Sequence, residues 1–192
     1  MKNKTAKSNA LWTIIQIANP YFVILAIGLP ITALVFAMNR RELLPINYVH
    51  IMSGALWTGI DLFMGLILGP TLGGVNPGER ANVFKRLTPK MTFFMPVIAG
   101  VTVTAGINLA QRLGIFSLAN PKIVISLIIV TILTIQGFGI LLPNEIRILK
   151  QLLSNAPDIE KIARLGMRNA RLGGIQGILQ LSIIFVMAVL RF

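Results

Sequence analysis

The stretch 43–78 reads LLPINYVHIMSGALWTGIDLFMGLILGPTLGGVNPG and holds one charged side chain, Asp61. Eighteen uncharged residues precede that acid and seventeen follow it. A helix needs about 20 apolar residues to cross a bilayer core of about 30 Å. Inside a bilayer the backbone must bond to itself, so such a run is a helix. Further uncharged runs cover 8–39, 91–111, 123–144 and 172–190. Together they predict five spans, over roughly 14–38, 46–69, 91–113, 122–142 and 172–190.

The expected fold is therefore all-α, a polytopic integral membrane protein. A basic tail (1–13) precedes an extra N-terminal transmembrane helix with its outer loop (14–45). A four-helix transmembrane core follows (46–192), with a helical connector at 144–171. The first run is too long for a signal h-region of about 7–15 residues. Asn19-Pro20 and Gly28-Leu29-Pro30 should bend this helix or delay its start, because proline removes an i to i−4 bond.

Composition agrees. The 192 residues are 55% hydrophobic and 12% charged, about half the charge of a soluble domain. The absence of cysteine excludes disulfide scaffolds and Cys-ligated zinc or iron–sulfur centres. A single histidine, His50, excludes a multi-His site within one chain. The net charge of +12 has a simple source in the loops. Lys and Arg number 13 in the tail and the segments 69–90 and 143–171, against 5 on the other side. The bias places the N-terminus in the cytoplasm and the C-terminus outside an inner (cell) membrane. It suits contact with anionic lipid and gives no reason to invoke nucleic acid. Asn155-Ala156-Pro157-Asp158-Ile159-Glu160 has the pattern of a helix start, and Val75-Asn76-Pro77-Gly78 that of a turn.

The second span carries the chemistry. At about 100° per residue, His50, Gly54, Trp57, Asp61 and Leu68 share a narrow stripe, with His50 and Asp61 roughly 16 Å apart along the axis. Asp61 lies near the bilayer centre, where an ionisable group costs at least about 2.5–3.5 kcal/mol. It is a candidate proton relay or cation site. The plainer reading is a neutral Asp61 hydrogen-bonded to Asn108, Gln136 or Gln176. His50, near the outer interface, is a candidate axial haem ligand or an interfacial polar contact. Trp57 stacks on a cofactor ring or simply packs. By depth, Met187 and Met38 are the candidates for a second ligand, whereas Met91 and Met95 fall at the wrong end. Gly65-x-x-x-Gly69 and the Gly173/Gly177 stripe allow close helix approach. Gln176 and Gln180 are placed for interhelical hydrogen bonds.

The pattern His50-Ile-Met-Ser-Gly54-Ala-Leu-Trp57-Thr-Gly59, followed by Gly69-Pro70, resembles a core helix of one membrane superfamily. That superfamily includes the copper-resistance-D-type proteins, the HemJ-type protoporphyrinogen oxidases and uncharacterised small membrane proteins. The resemblance covers roughly 46–192 and extends to Thr104-Ala-Gly106-Ile-Asn108, Pro121-Lys122, Pro143 and Arg171-Leu-Gly173-Gly174. It implies a four-helix membrane bundle with haem b on His50, and a functional Lys122. Arg40, Arg41 or Arg112 would then pair with the propionates. The apolar, glycine-rich 65–72 stands where HemJ-type proteins have an aromatic and basic stretch, so the likeness is closest to the uncharacterised members. No Cys and no Met-rich or His-rich loop supports copper transport.

The sequence expectation is a haem-b-binding redox or electron-transfer membrane protein. His50 is its axial ligand, Met187 or Met38 completes the metal coordination, Trp57 and Lys122 help bind the cofactor, and Asp61 handles a proton. A quinone or other redox partner is implied. Two alternatives stand beside it. One is a non-catalytic subunit of a larger membrane complex or homo-oligomer. The other is a small proton or cation transporter built on Asp61. Whether the chain is an enzyme is left open at this level.

Overall fold

The computed structural model describes residues 2–191, with side chains described over 9–189. The chain is 88% helical, with no strand among the described residues. Five helical stretches are long and apolar enough to cross a membrane: Pro20–Met38, Leu43–Gly73, Pro77–Arg112, Pro121–Leu152 and Ile159–Val189. The protein is an all-α polytopic membrane protein.

The first expected span, 14–38, is divided. Helix α1 (Lys2–Ala18) takes in the expected tail and packs beside later helices; the side chains of residues 2–8 lie outside the described set. The crossing helix α2 (Pro20–Met38) starts afresh at Pro20. Asn19 adopts φ 75°, a left-handed conformation that Asn tolerates better than most residues. Its side chain accepts from the Tyr21 amide at 3.0 Å, and Pro20 occupies the first helical position.

Helix α3 (Leu43–Leu62) runs without a break through a π-helical segment, Phe63–Leu68, into the short α4 (Gly69–Gly73). The π segment spoils a wheel drawn at a constant angle. The stripe of His50, Trp57 and Asp61 holds within α3, but Leu68 lies beyond the change of pitch. The 69–90 segment is not a loop. Its basic residues Arg80, Lys85, Arg86 and Lys90 stand on the first turns of α5 (Pro77–Arg112). The expected turn at 75–78 overlaps the non-helical corner at 74–76, and its Pro77-Gly78 opens this helix. Asn76 accepts from the Glu79 amide and Glu79 answers the Asn76 amide, a reciprocal capping box. Arg80 closes the corner by donating to the Val75 and Gly73 carbonyls.

Helix α6 (Pro121–Gln136) passes through a second π segment, Gly137–Leu141, into α7 (Leu142–Leu152). The last helix, α8 (Ile159–Arg191), starts where Asp158 accepts from the Lys161 amide at 2.9 Å. The capping residue is thus Asp158, with Pro157 just outside the helix. The connector at 144–171 is accordingly the end of one long helix and the beginning of another.

Helix α8 is the hub, packed against α3, α5, α6 and α7. Contact with the second span is backbone to backbone. A Cβ added to Gly65 would lie 2.1 Å from Gly174 Cα, so only glycine allows this approach. Amide side chains fasten α8 to the fourth span: Gln136 donates to Leu172 O (2.7 Å), Gln176 to Leu133 O (3.3 Å) and Asn169 to Leu141 O (3.0 Å). Helices α5 and α6 have no comparable seam. The bundle is therefore tight around α8 and parted between α5 and α6.

Candidate functional site

Asp61 sits in the last turn of α3, just before the π segment, and is 3% exposed. Gln180 of α8 donates its Nε2 to Asp61 Oδ2 at 3.0 Å. This is the interhelical bond the carboxyl group needs, but its donor is none of the three expected partners. Gln136 and Gln176 are committed to carbonyls, and Asn108 Oδ1 is buried without a partner. Room for the carboxyl comes from Gly173, where an added Cβ would press within 3.3 Å of Oδ1. Gln180 Oε1 is likewise buried and unpaired.

Asp61 faces a cavity of about 300 Å³ enclosed by α3, α5, α6, α7 and α8. Its walls are mainly apolar and include Trp57, Phe84, Met91, Met95 and Leu133. Gly100 and Thr104 of α5, Thr134 of α6 and Phe138 of the π segment after it also line it, and all four are exposed. The exposed part of the cavity wall thus lies on the side where α5 and the fourth crossing stretch are parted.

A second carboxyl group, Glu145, lines the same cavity. Thr92 Oγ1 lies 2.8 Å from Glu145 Oε2 and 2.9 Å from the Thr88 carbonyl. A hydroxyl has one proton to donate and lone pairs to accept with. Toward an ionised Glu145 the Thr92 hydroxyl donates. Toward a neutral Glu145 it accepts, turning its own proton to Thr88. Gln180 has the same double capacity for Asp61, through Nε2 for the anion and, after an amide flip, Oε1 for the acid. Among the described residues, no lysine or arginine bonds either carboxyl group.

The residues selected from sequence fall in two places. Trp57 and Asp61, one turn apart, both line the cavity. His50, Lys122 and Met187 do not. The His50 ring lies against Gly106 of α5, where an added Cβ would come within 2.7 Å of Cε1. Its Nδ1 is 2.9 Å from the Thr102 carbonyl. A carbonyl only accepts, so Nδ1 carries a proton, and in the neutral ring the lone pair is on Nε2. Lys122 Nζ donates to Val189 O at the end of α8. Met187 is half-buried on α8 nearby. Arg112 is committed to the Arg40 and Met38 carbonyls at the end of α2, and Arg40 lies over the Phe36 ring. Met91 and Met95, set aside at the sequence level, are in the cavity wall. Among the described residues, no three metal-ligating His, Cys, Asp or Glu groups cluster.

Sequence reasoning misses Glu145 because it places the part of the fourth helix after 144 past the membrane, as a helical connector. The signal was present. Glu145 follows Phe138, Leu141 and Leu142 and precedes Ile148 at three- and four-residue steps, on the apolar face of a continuing helix. Compared with family models, with curated proteins and with solved structures, the chain matches none.

Proposed function

We propose that the protein moves protons or small cations across a membrane, with Asp61 as the principal binding carboxylate and Glu145 as the second. The observation that carries this reading is the occurrence of both acids on one cavity among the crossing helices, each met by a partner able to serve its charged and neutral forms. Asp61 is buried and Glu145 partly so, and a carboxylate withdrawn from water is costly without a counter-charge. A passing proton or cation supplies that counter-charge, and the amide and hydroxyl keep the site bonded when it leaves. The distribution of basic residues supports an inner-membrane orientation with the N-terminus in the cytoplasm. The test is flux in liposomes under an imposed gradient. Wild-type protein conducts and Asp61→Asn does not; equal flux in both overturns the reading.

A second reading is favoured by one separate observation. The Nδ1–Thr102 bond fixes the His50 tautomer and leaves Nε2 basic, as an imidazole metal ligand requires. This supports a haem-b redox role with His50 as axial ligand, in line with the superfamily resemblance. Haem would supply one-electron chemistry. The chain's contribution is an oriented imidazole, held by Thr102 and the bare Gly106 surface. The fit stops at that imidazole, because Lys122 and Arg112 are bonded to backbone carbonyls.

A further inference from the structure

We propose that the cavity binds a hydrophobic organic monocation, such as a small quaternary ammonium or lipophilic amine, taken laterally from the bilayer between α5 and α6. The inference rests on the reading of Asp61 and Glu145 as the working carboxylates, and names what they accept besides a proton.

Three features point to this ligand class. The two carboxyl groups are met by neutral partners, so positive charge is what the cavity lacks. The aromatic rings of Trp57, Phe84 and Phe138 line the same space. Aromatic faces attract quaternary ammonium groups, and the attraction is larger where water is excluded. The remaining wall is apolar, with polarizable methionines at 64, 91 and 95. A hard inorganic cation such as calcium needs about 6–8 oxygen ligands, which this wall does not offer. A cation with an apolar body satisfies both the acids and the wall.

Access follows from the packing. The α3–α8 contact is closed by the Gly65–Gly174 backbone approach, and α6 is bonded to α8 by amide side chains. Only the α5–α6 side is lined by exposed residues of both helices. At Gly100 an added Cβ meets nothing within 4 Å, so this side of α5 is bare. An amphiphile dissolved in the acyl region reaches the carboxylates without crossing the headgroups on its way into the bundle.

The experiment measures equilibrium binding of benzyltrimethylammonium to the full chain in nanodiscs, with neopentylbenzene as its uncharged isostere. Proton flux is recorded separately in liposomes. Saturable binding of the cation, preferred over the isostere, is expected. Asp61→Asn should weaken it by at least about tenfold, the cost of unpairing a desolvated charge. Gly100→Leu, which fills the seam where space is free, should weaken it while the thermal unfolding temperature stays within about 2 °C of wild type. If Asp61→Asn does not fold, Glu145→Gln replaces it with the same expected direction. Equal binding of cation and isostere overturns the inference, as does undiminished binding in Gly100→Leu. Flux without cation binding overturns the ligand class and leaves the proton reading standing. Cation binding without flux supports the ligand class and removes the transport reading.

Discussion

Gln180 Nε2 meets Asp61 Oδ2 at 3.0 Å, joining the last crossing helix to the middle of the second. The bond links residues 119 positions apart and buries both side chains. It turns the costliest side chain of the second span into the point where helices α3 and α8 are chemically coupled. On the far side of the cavity the Thr92–Glu145 pair links α5 to α7 in the same manner.

Removing the amide should expose that coupling. Leaving a buried acceptor unpaired costs about 1–3 kcal/mol. Gln180→Leu should therefore destabilise the folded protein by that amount in detergent unfolding. In an Asp61→Leu background the same change should cost far less, giving a clear interaction energy in the double-mutant cycle. Additive single-mutant effects would contradict the bond's importance.

Gly65→Ala should be more damaging than its size suggests. Its methyl group would lie 2.1 Å from Gly174 Cα, which forces the backbones apart. Overpacking of this kind costs about 1–3 kcal/mol or more. Gly59→Ala, where a Cβ meets nothing within 4 Å, serves as the control. It should be neutral or stabilising by about 0.5–1 kcal/mol, as expected for alanine in a helix. Thermal unfolding of the two variants separates them.

Thr92 should matter to flux through its hydroxyl. A hydrogen bond to a charged group contributes about 1.5–3 kcal/mol, so Thr92→Val should slow conduction by about tenfold. Thr92→Ser keeps the hydroxyl and should recover most of it. Initial rates in liposomes give the comparison, and equal rates in the Val and Ser variants would remove Glu145's partner from the account.

The redox reading makes its own prediction. A haem on His50 Nε2 gives gently purified protein a Soret band at near one haem per chain. His50→Ala should then abolish the band. A colourless wild-type protein, or an unchanged spectrum in His50→Ala, sets this reading aside.

The five-span architecture was legible because uncharged runs of membrane length leave few alternatives; the glycines of spans two and five allowed close approach without naming Gly174 as the partner of Gly65. The details that went astray have local causes. The expected delay at Asn19-Pro20 takes the form of a full break, with Asn19 at positive φ separating α1 from the crossing helix, so the span starts at Pro20 and not at 14. In 69–90 the basic residues stand on a helix started by the Asn76–Glu79 capping box, a local signal that a charge count does not register. At the site, Asp61 and Trp57 stood out by depth and by sharing a helix face. Glu145 did not, because it stands in the helical connector, beyond the uncharged run that marks the fourth span. In the structure Pro143 lies in the first turn of α7, where a proline is tolerated. The Gln180 partnership depends on the angular position of α8 relative to α3, which no periodicity within one helix specifies.

The most direct test is proton flux in liposomes carrying wild-type, Asp61→Asn or Asp61→Glu protein, with folding checked by circular dichroism. The account predicts conduction by the wild type, recovery of part of it by Asp61→Glu, and none above empty liposomes by Asp61→Asn. Folded Asp61→Asn protein that conducts at the wild-type rate would contradict it.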